Sequence, residues 1–275
     1  MVDKTQWIST ASAIARLPLF NGLAPEELAA IAGCTRKISA ARGEMLFYKN
    51  DPCSGLFLVI RGQVKLFFSS PLGNEKVLGV FGPDQTLGES ALLQGKNYQT
   101  YAQTLSECTL LHIAKPAILA ALDKNSVFAR RIIDRLSQSL AGLTEEMESY
   151  SLCSARQRVV HYLLRVALTT RHGADDYRHR PLIIRLPTSK GVIASCLNIT
   201  PAHFSRILNN LSADGLLSVR GRDIHIENLQ EFWQYADDAQ TLAYEDEALT
   251  TTAAAPRYSY GMTKVTATSG LHHVT

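Results

Sequence analysis

Seven side chains recur at alternating steps of four and three: Ala129, Ile133, Leu136, Leu140, Leu143, Met147 and Tyr150. Those are the a and d positions of a heptad, so Ser126 to Tyr150 is predicted to be one long helix with a single apolar seam. Arg130, Arg131, Asp134, Arg135, Glu145, Glu146 and Glu148 flank the seam and keep the other faces in water. Such a helix cannot bury itself. It packs either on another part of its own chain or on a second copy, and the persistence of the alternation favours a parallel homodimer. Pro116 opens the preceding helix, so residues 116–152 read as a dimerisation unit.

Upstream, the pattern is of another kind. Between Ile38 and Ile113, short apolar runs are separated by glycines at positions 43, 55, 62, 73, 79, 82, 88 and 95. Leu56–Ile60, Val64–Phe68 and Thr109–Ile113 are three of the runs. Regular short strands with turn residues between them indicate an antiparallel β-roll, assigned here to residues 1–115. A helical stretch precedes it, from Ala13 to Cys34.

Downstream, Ser154 to Thr170 reads as an amphipathic helix, followed by a polar loop and a strand at Leu182–Leu186. Thr188 is placed to cap a short helix whose apolar stripe is Val192, Ile193 and Cys196. Leu197 and Asn198 supply a tight turn. Thr200 then caps a second helix, with Pro201 at its first position. Phe204, Ile207, Leu208 and Leu211 form the buried face of that helix. Ala202, His203, Ser205, Arg206 and Asn209 fall on the others. Two alternating runs, Leu216–Val219 and Ile224–Ile226, are joined through Arg220-Gly221-Arg222-Asp223, a hairpin with arginines at its tip. Two capped helices and a basic-tipped hairpin, in that order, give a winged helix-turn-helix over residues 153–235. Its predicted partner is double-stranded DNA. The candidate contacts are Thr188, Lys190, Thr200, Ala202, His203, Ser205, Arg206, Asn209, Arg220 and Arg222. The fold class is therefore α+β: a β-roll, a long helix and a winged helix-turn-helix.

The net charge of +3 says little, but its distribution is informative. From Leu152 to Ile226 there are eleven basic residues, namely Arg156, Arg158, Arg165, Arg171, Arg178, Arg180, Arg185, Lys190, Arg206, Arg220 and Arg222, against four acids. A basic block centred on the helix-turn-helix is the footprint of phosphate binding. The five cysteines are scattered and odd in number, which suits reduced thiols and a cytoplasmic location. No apolar run approaches a membrane span, and no signal peptide is read at Met1–Phe20. Residues 236–275 are rich in Thr, Ala and Ser without periodicity and are expected to be a disordered tail. No nucleophile–base spacing, metal-ligand cluster or phosphate-binding glycine loop supports an enzyme.

The motifs GLFLVIRGQVKLFF, LGESALL, RQRVVHYLL and ITPAHFSRIL resemble those of the CRP/FNR family of bacterial transcription regulators, over residues 16–235. Within it the style is similar to the nitric-oxide-responsive dissimilatory nitrate respiration regulators. The resemblance implies a cyclic-nucleotide-binding-like jelly roll, a dimer on a two-fold symmetric operator, and RNA polymerase as a partner. It places an effector pocket at Gly88, Glu89, Ser90, Tyr98 and Gln99. Three departures follow. Nucleotide-binding members hold the phosphate with an arginine where this chain has Tyr98, so a bound phosphate would lack its guanidinium and cyclic nucleotides are not expected. The N-terminal cysteine cluster of iron–sulfur sensors is missing, since Cys34 is the first cysteine. The glutamate of the usual recognition helix is Ala202, so the operator is expected to be relaxed at one base.

The effector remains open at this level. The subgroup resemblance implies haem and nitric oxide, and haem needs an axial ligand in an apolar pocket. His112 and His161 are the candidate ligands; Cys34, Met45, Cys53 and Cys108 read as small core residues. A regulator whose roll only supports the dimer is the alternative. A cyclic-nucleotide-responsive one is more remote.

Overall fold

The computed structural model describes residues 4–169, 182–228 and 231–232. Arg171, Arg178 and Arg180 of the basic block, and the tail from residue 236, lie outside them.

Two helices come first, α1 (Lys4–Ala15) and α2 (Pro25–Gly33), separated by a 3₁₀ turn at Pro18–Phe20. The single helical stretch expected from Ala13 to Cys34 is thus interrupted, at Gly22 with φ of 81°. Eight strands follow: β1 (Thr35–Ala40), β2 (Met45–Phe47), β3 (Gly55–Arg61), β4 (Val64–Ser69), β5 (Glu75–Phe81), β6 (Thr86–Leu87), β7 (Tyr101–Thr104) and β8 (Cys108–Ala114). A short helix, α3 (Glu89–Gln94), lies between β6 and β7. The strands form two antiparallel sheets, ordered β1-β8-β3-β6 and β2-β7-β4-β5. Their facing sides bury Phe47, Phe57, Val59, Val64, Tyr98, Ala102 and Leu110. The β3–β4 turn depends on Gly62: its φ is 93°, and a Cβ there would stand 2.3 Å from the Glu107 carbonyl oxygen.

Helix α4 (Lys115–Lys124) leads to α5 (Ser126–Leu152), 27 residues long. Asn125 starts α5, accepting from the Phe128 N–H at 3.0 Å while its amide donates to Glu27 of α2. Phe128 and Ile132 face the roll, and Phe128 stacks on Phe20 at 5.5 Å between centroids. Burying a phenylalanine of this kind stabilises by about 2–3 kcal/mol. The opposite face is bare. Ile133, Leu136, Leu140, Leu143 and Met147 are 60, 40, 66, 58 and 70% exposed. One helix therefore carries two apolar faces, and the roll covers only the first.

Helix α6 (Ala155–Thr169), strand β9 (Leu182–Arg185), helices α7 (Lys190–Cys196) and α8 (Pro201–Ala213), and strands β10 (Ser218–Arg220) and β11 (Asp223–Ile226) complete the described chain. The three strands form a sheet ordered β10-β11-β9. Val159, Val160, Leu163, Ile184, Phe204, Leu211 and Ile224 make its separate core. Leu216 and Leu217, expected in the wing strand, are buried ahead of it; pairing begins at Ser218.

Candidate nucleic-acid interface

Helix α8 is built as its sequence dictates. Thr200 accepts from the His203 N–H at 3.2 Å, and Pro201 needs no hydrogen-bond acceptor in the first turn. Phe204, Ile207, Leu208 and Leu211 are all buried. Ala202, His203, Arg206 and Asn209 are exposed and Ser205 is half-buried. Ala202, Arg206 and Asn209 follow at steps of four and three, so they share one face. A methyl, a guanidinium and an amide in a row match the groups that read base edges in a major groove. The turn before α8 places Asn198 at φ of 57°, a conformation asparagine tolerates.

The first helix requires a correction. Its cap is Ser189, whose hydroxyl accepts from the Val192 N–H at 3.3 Å, not Thr188. Thr188 is only 7% exposed, so its side chain is spent inside the domain and is a poor phosphate contact. Lys190 is half-buried at the start of α7.

The two wing arginines differ. Gly221 turns the hairpin with φ of 64°, and Arg220 pairs in register with Asp223. Arg220 is exposed. Arg222 donates from Nη2 to the Leu186 carbonyl at 2.8 Å, while its own carbonyl accepts from the Leu186 N–H at 2.8 Å. Arg222 therefore braces β9 as well as standing at the tip.

Between α5 and α6 lies a connector of two residues, Cys153 and Ser154. Ser154 donates from its N–H to Gln157 Oε1 at 2.6 Å, and its hydroxyl accepts from the Gln157 N–H at 3.3 Å, a reciprocal cap. Arg158 donates to the Cys153 carbonyl at 2.7 Å and to the Leu197 carbonyl at 3.0 Å. Tyr150, the last seam position, instead turns toward α7: its hydroxyl donates to the Cys196 carbonyl at 2.5 Å. Burial raises the pKa of Tyr150, with the Glu146 carboxylate adding to it. Lys76 of β5 lies 5.0 Å over its ring, and burial pushes that ammonium below its usual range.

The five predicted effector residues sit in different surroundings. Gly88 takes a φ of 99° and lies beneath Tyr98, whose Cε1 would be 3.2 Å from an added Cβ. Tyr98 is 3% exposed, stacks on Phe47 at 3.9 Å and donates to the Gly55 carbonyl at 3.0 Å. Burial pushes its pKa up to about 12. The Tyr98 ring is thus packed between Phe47 and Gly88 and tied to the β3 backbone. Glu89 accepts from Thr86 and from Arg135 Nε of α5, the latter at 3.1 Å. Ser90 and Gln99 are exposed, with bonds to nearby Gln94 and Asn97.

His112 is not free to ligate haem. His112 is 5% exposed, shares a 3.0 Å hydrogen bond with the Ser54 hydroxyl through Nε2, and meets the Phe57 ring at 4.7 Å. Burial, then Arg36, lowers its pKa. This is a satisfied structural histidine. His161 borders an open cleft of 570 Å³ whose wall mixes apolar side chains, Phe81, Leu143 and Tyr162 among them, with Arg158, Arg165, Glu145 and Glu146. All five cysteines carry free thiols.

Sequence reasoning missed Ser189, Arg135, Arg158 and Ser195. Adjacent hydroxyls at 188 and 189 hid the first; the others act across large sequence separations that periodicity does not report.

Residues 37–125 match the family described as the cyclic nucleotide-binding domain, and residues 157–235 match the Crp-like helix-turn-helix domain. The cyclic AMP receptor protein of Thermus thermophilus is 28% identical over 200 residues, covering 73% of this chain and 88% of the relative. The transcriptional activator protein anr of Pseudomonas aeruginosa is 25% identical over 185 residues, 67% of this chain and 74% of the relative. The structure of FixK2 from Bradyrhizobium japonicum shares the fold, with a TM-score of 0.62 at 20% identity over 73% of this chain and 96% of that one. No helix among the described residues is long and apolar enough to cross a membrane.

Proposed function

The chain belongs to the CRP/FNR family of transcription regulators, which bind DNA as dimers and are not enzymes, and on that premise we propose how this member reads its operator. Two copies pair along the bare face of α5, and each lays α8 into a major groove. Arg206 addresses the O6/N7 edge of a guanine, and the Ala202 methyl meets a thymine methyl. Arg220 contacts phosphate. The observation that carries this reading is the exposed row Ala202, Arg206 and Asn209, set against a fully buried opposite face.

Selection from random duplexes tests it. The expected product is a two-fold symmetric site with half-sites about one helical turn apart, tolerant at the base opposite Ala202. An unsymmetric product, or strong discrimination at that base, would overturn it.

The input to the roll is a ligand other than a cyclic nucleotide. Support comes from Tyr98, which stands where the resemblance puts the phosphate-binding arginine and is buried with its hydroxyl on the Gly55 carbonyl. RVVHYLL and FSRI support a place near the nitric-oxide-responsive subgroup. The packed aromatic interior also favours a second reading, in which the roll senses nothing and only supports the dimer. Calorimetric titration with cyclic AMP is expected to show no saturable binding. An absorption spectrum and native mass spectrometry of the purified protein separate a liganded roll from an empty one.

A further inference from the structure

The 570 Å³ cleft beside His161 is walled by three parts of the chain. Leu78 and Phe81 of β5 form one wall, the middle of α5 a second, and α6 with the end of α7 a third. Its volume falls within the range of small-molecule sites, about 300–1,000 Å³.

Three features of those walls have no use inside the protomer. Gly142 lies in the interior of the 27-residue α5, where glycine costs stability relative to alanine. A Cβ there would meet nothing within 4 Å, so no neighbour in this chain requires the glycine, and its bare backbone lines the cleft. Tyr162 of α6 is half-buried, yet its hydroxyl makes no hydrogen bond to any described residue. A phenol taken out of water normally finds a partner. Arg158 spends Nε on the Leu197 carbonyl and Nη1 on the Cys153 carbonyl, while its Nη2 bonds no described residue.

The charges that line the cleft balance. Glu145 and Glu146 come from α5, and Arg158 and Arg165 from α6. Glu146 and Arg158 form no ion pair with each other, yet both act on the Tyr150 hydroxyl, in opposite directions, so the two signs stand about one point of the wall. A net anion would meet two carboxylates here, and a net cation two guanidiniums. Either would leave charge unmatched as water is displaced, which is costly. A zwitterion matches both signs. Phe81 and Leu143 offer apolar surface beside them.

We propose that this cleft binds a free α-amino acid with a large apolar side chain. Arg158 and the Tyr162 hydroxyl meet its carboxylate, Glu146 meets its ammonium, and Phe81 and Leu143 cover its side chain, with the Gly142 backbone in close approach. The site lies outside the roll interior and exists whether or not the roll holds a ligand.

The test is calorimetric titration of the full chain with L-phenylalanine and L-leucine. Phenylpropanoate and phenethylamine, which each lack one of the two charges, serve as controls. The expected result is saturable binding of at least one of the amino acids, with either control weaker by about tenfold or more, the usual worth of a hydrogen bond to a charged group. Gly142→Leu is expected to abolish binding without lowering the thermal unfolding midpoint, since leucine favours a helix more than glycine does. Tyr162→Phe, which keeps the ring, is expected to weaken binding by roughly three- to tenfold. No saturable binding of either amino acid overturns the site, including the case in which a second copy seated on Leu143 closes the cleft. Equal binding of either control overturns the zwitterionic ligand. Undiminished binding in either variant overturns its placement in this cleft.

Discussion

Arg135 of the long helix donates from Nε to Glu89 of the roll at 3.1 Å, and this bond ties the would-be effector site directly to the dimer helix. Glu89 begins α3, and in this chain its carboxylate answers to a neighbouring helix.

Loss of that pair has a bounded cost. The side chains are 34 and 16% exposed, so solvent screens much of the attraction. Arg135→Ala and Glu89→Gln are each expected to cost about 1 kcal/mol in urea unfolding, with a double-mutant coupling of the same order. A coupling of zero removes the bond as a connection between roll and helix.

Arg206→Ala is expected to remove roughly 1–3 kcal/mol of preference for the selected operator over a scrambled duplex. Arg220→Ala differs in kind. It weakens binding to both duplexes and reduces the salt slope by about one. Titrations at several salt concentrations separate the two. Preserved operator preference in Arg206→Ala means that α8 is not the base-reading element.

The proposed dimer would rest on side chains that are bare in one copy. Leu140 is 66% exposed at the middle of that face, so its own fold covers only a minor part of it. Leu140→Glu is expected to give a folded monomer by analytical ultracentrifugation, with operator binding lost. A variant that remains dimeric shifts the interface elsewhere.

His112 gives a pH signature. Burial lowers its folded pKa below the ordinary value of 6.5, so the neutral ring is favoured in the fold. Above that value both states hold a neutral imidazole and pH has no effect through this group. As pH falls below it, the unfolded chain takes up a proton first and stability declines, until the folded ring also protonates at its lower pKa. Unfolding free energy measured between pH 8 and about 5 should fall on the acid side, and His112→Gln should flatten that part of the profile.

Much of the molecule was legible wherever the determinant is local. The seam from Ile133 to Met147, the Thr200 cap and the two faces of α8 depend on spacing within one helix, and spacing is what a sequence records. Tyr150 marks the boundary of that method. It continues the heptad, yet its hydroxyl goes to Cys196, because the helix is by then beside the next domain. The Val77–Ser195 bond joins residues 118 apart, and Arg222–Leu186 joins residues 36 apart. Nothing in either neighbourhood signals the other. The hydrogen bond from Tyr98 to Gly55, 43 residues away, is equally silent in the sequence.

The connector at Cys153 and Ser154 sets the mechanics of any switch. Two residues offer only four soft backbone dihedrals, and Arg158 grips the first of them at its carbonyl. A reading head on so short a stem cannot tumble. Such a stem favours a swing along a narrow arc over free rotation, and a change in either residue is expected to alter the angle at which the reading domain is presented.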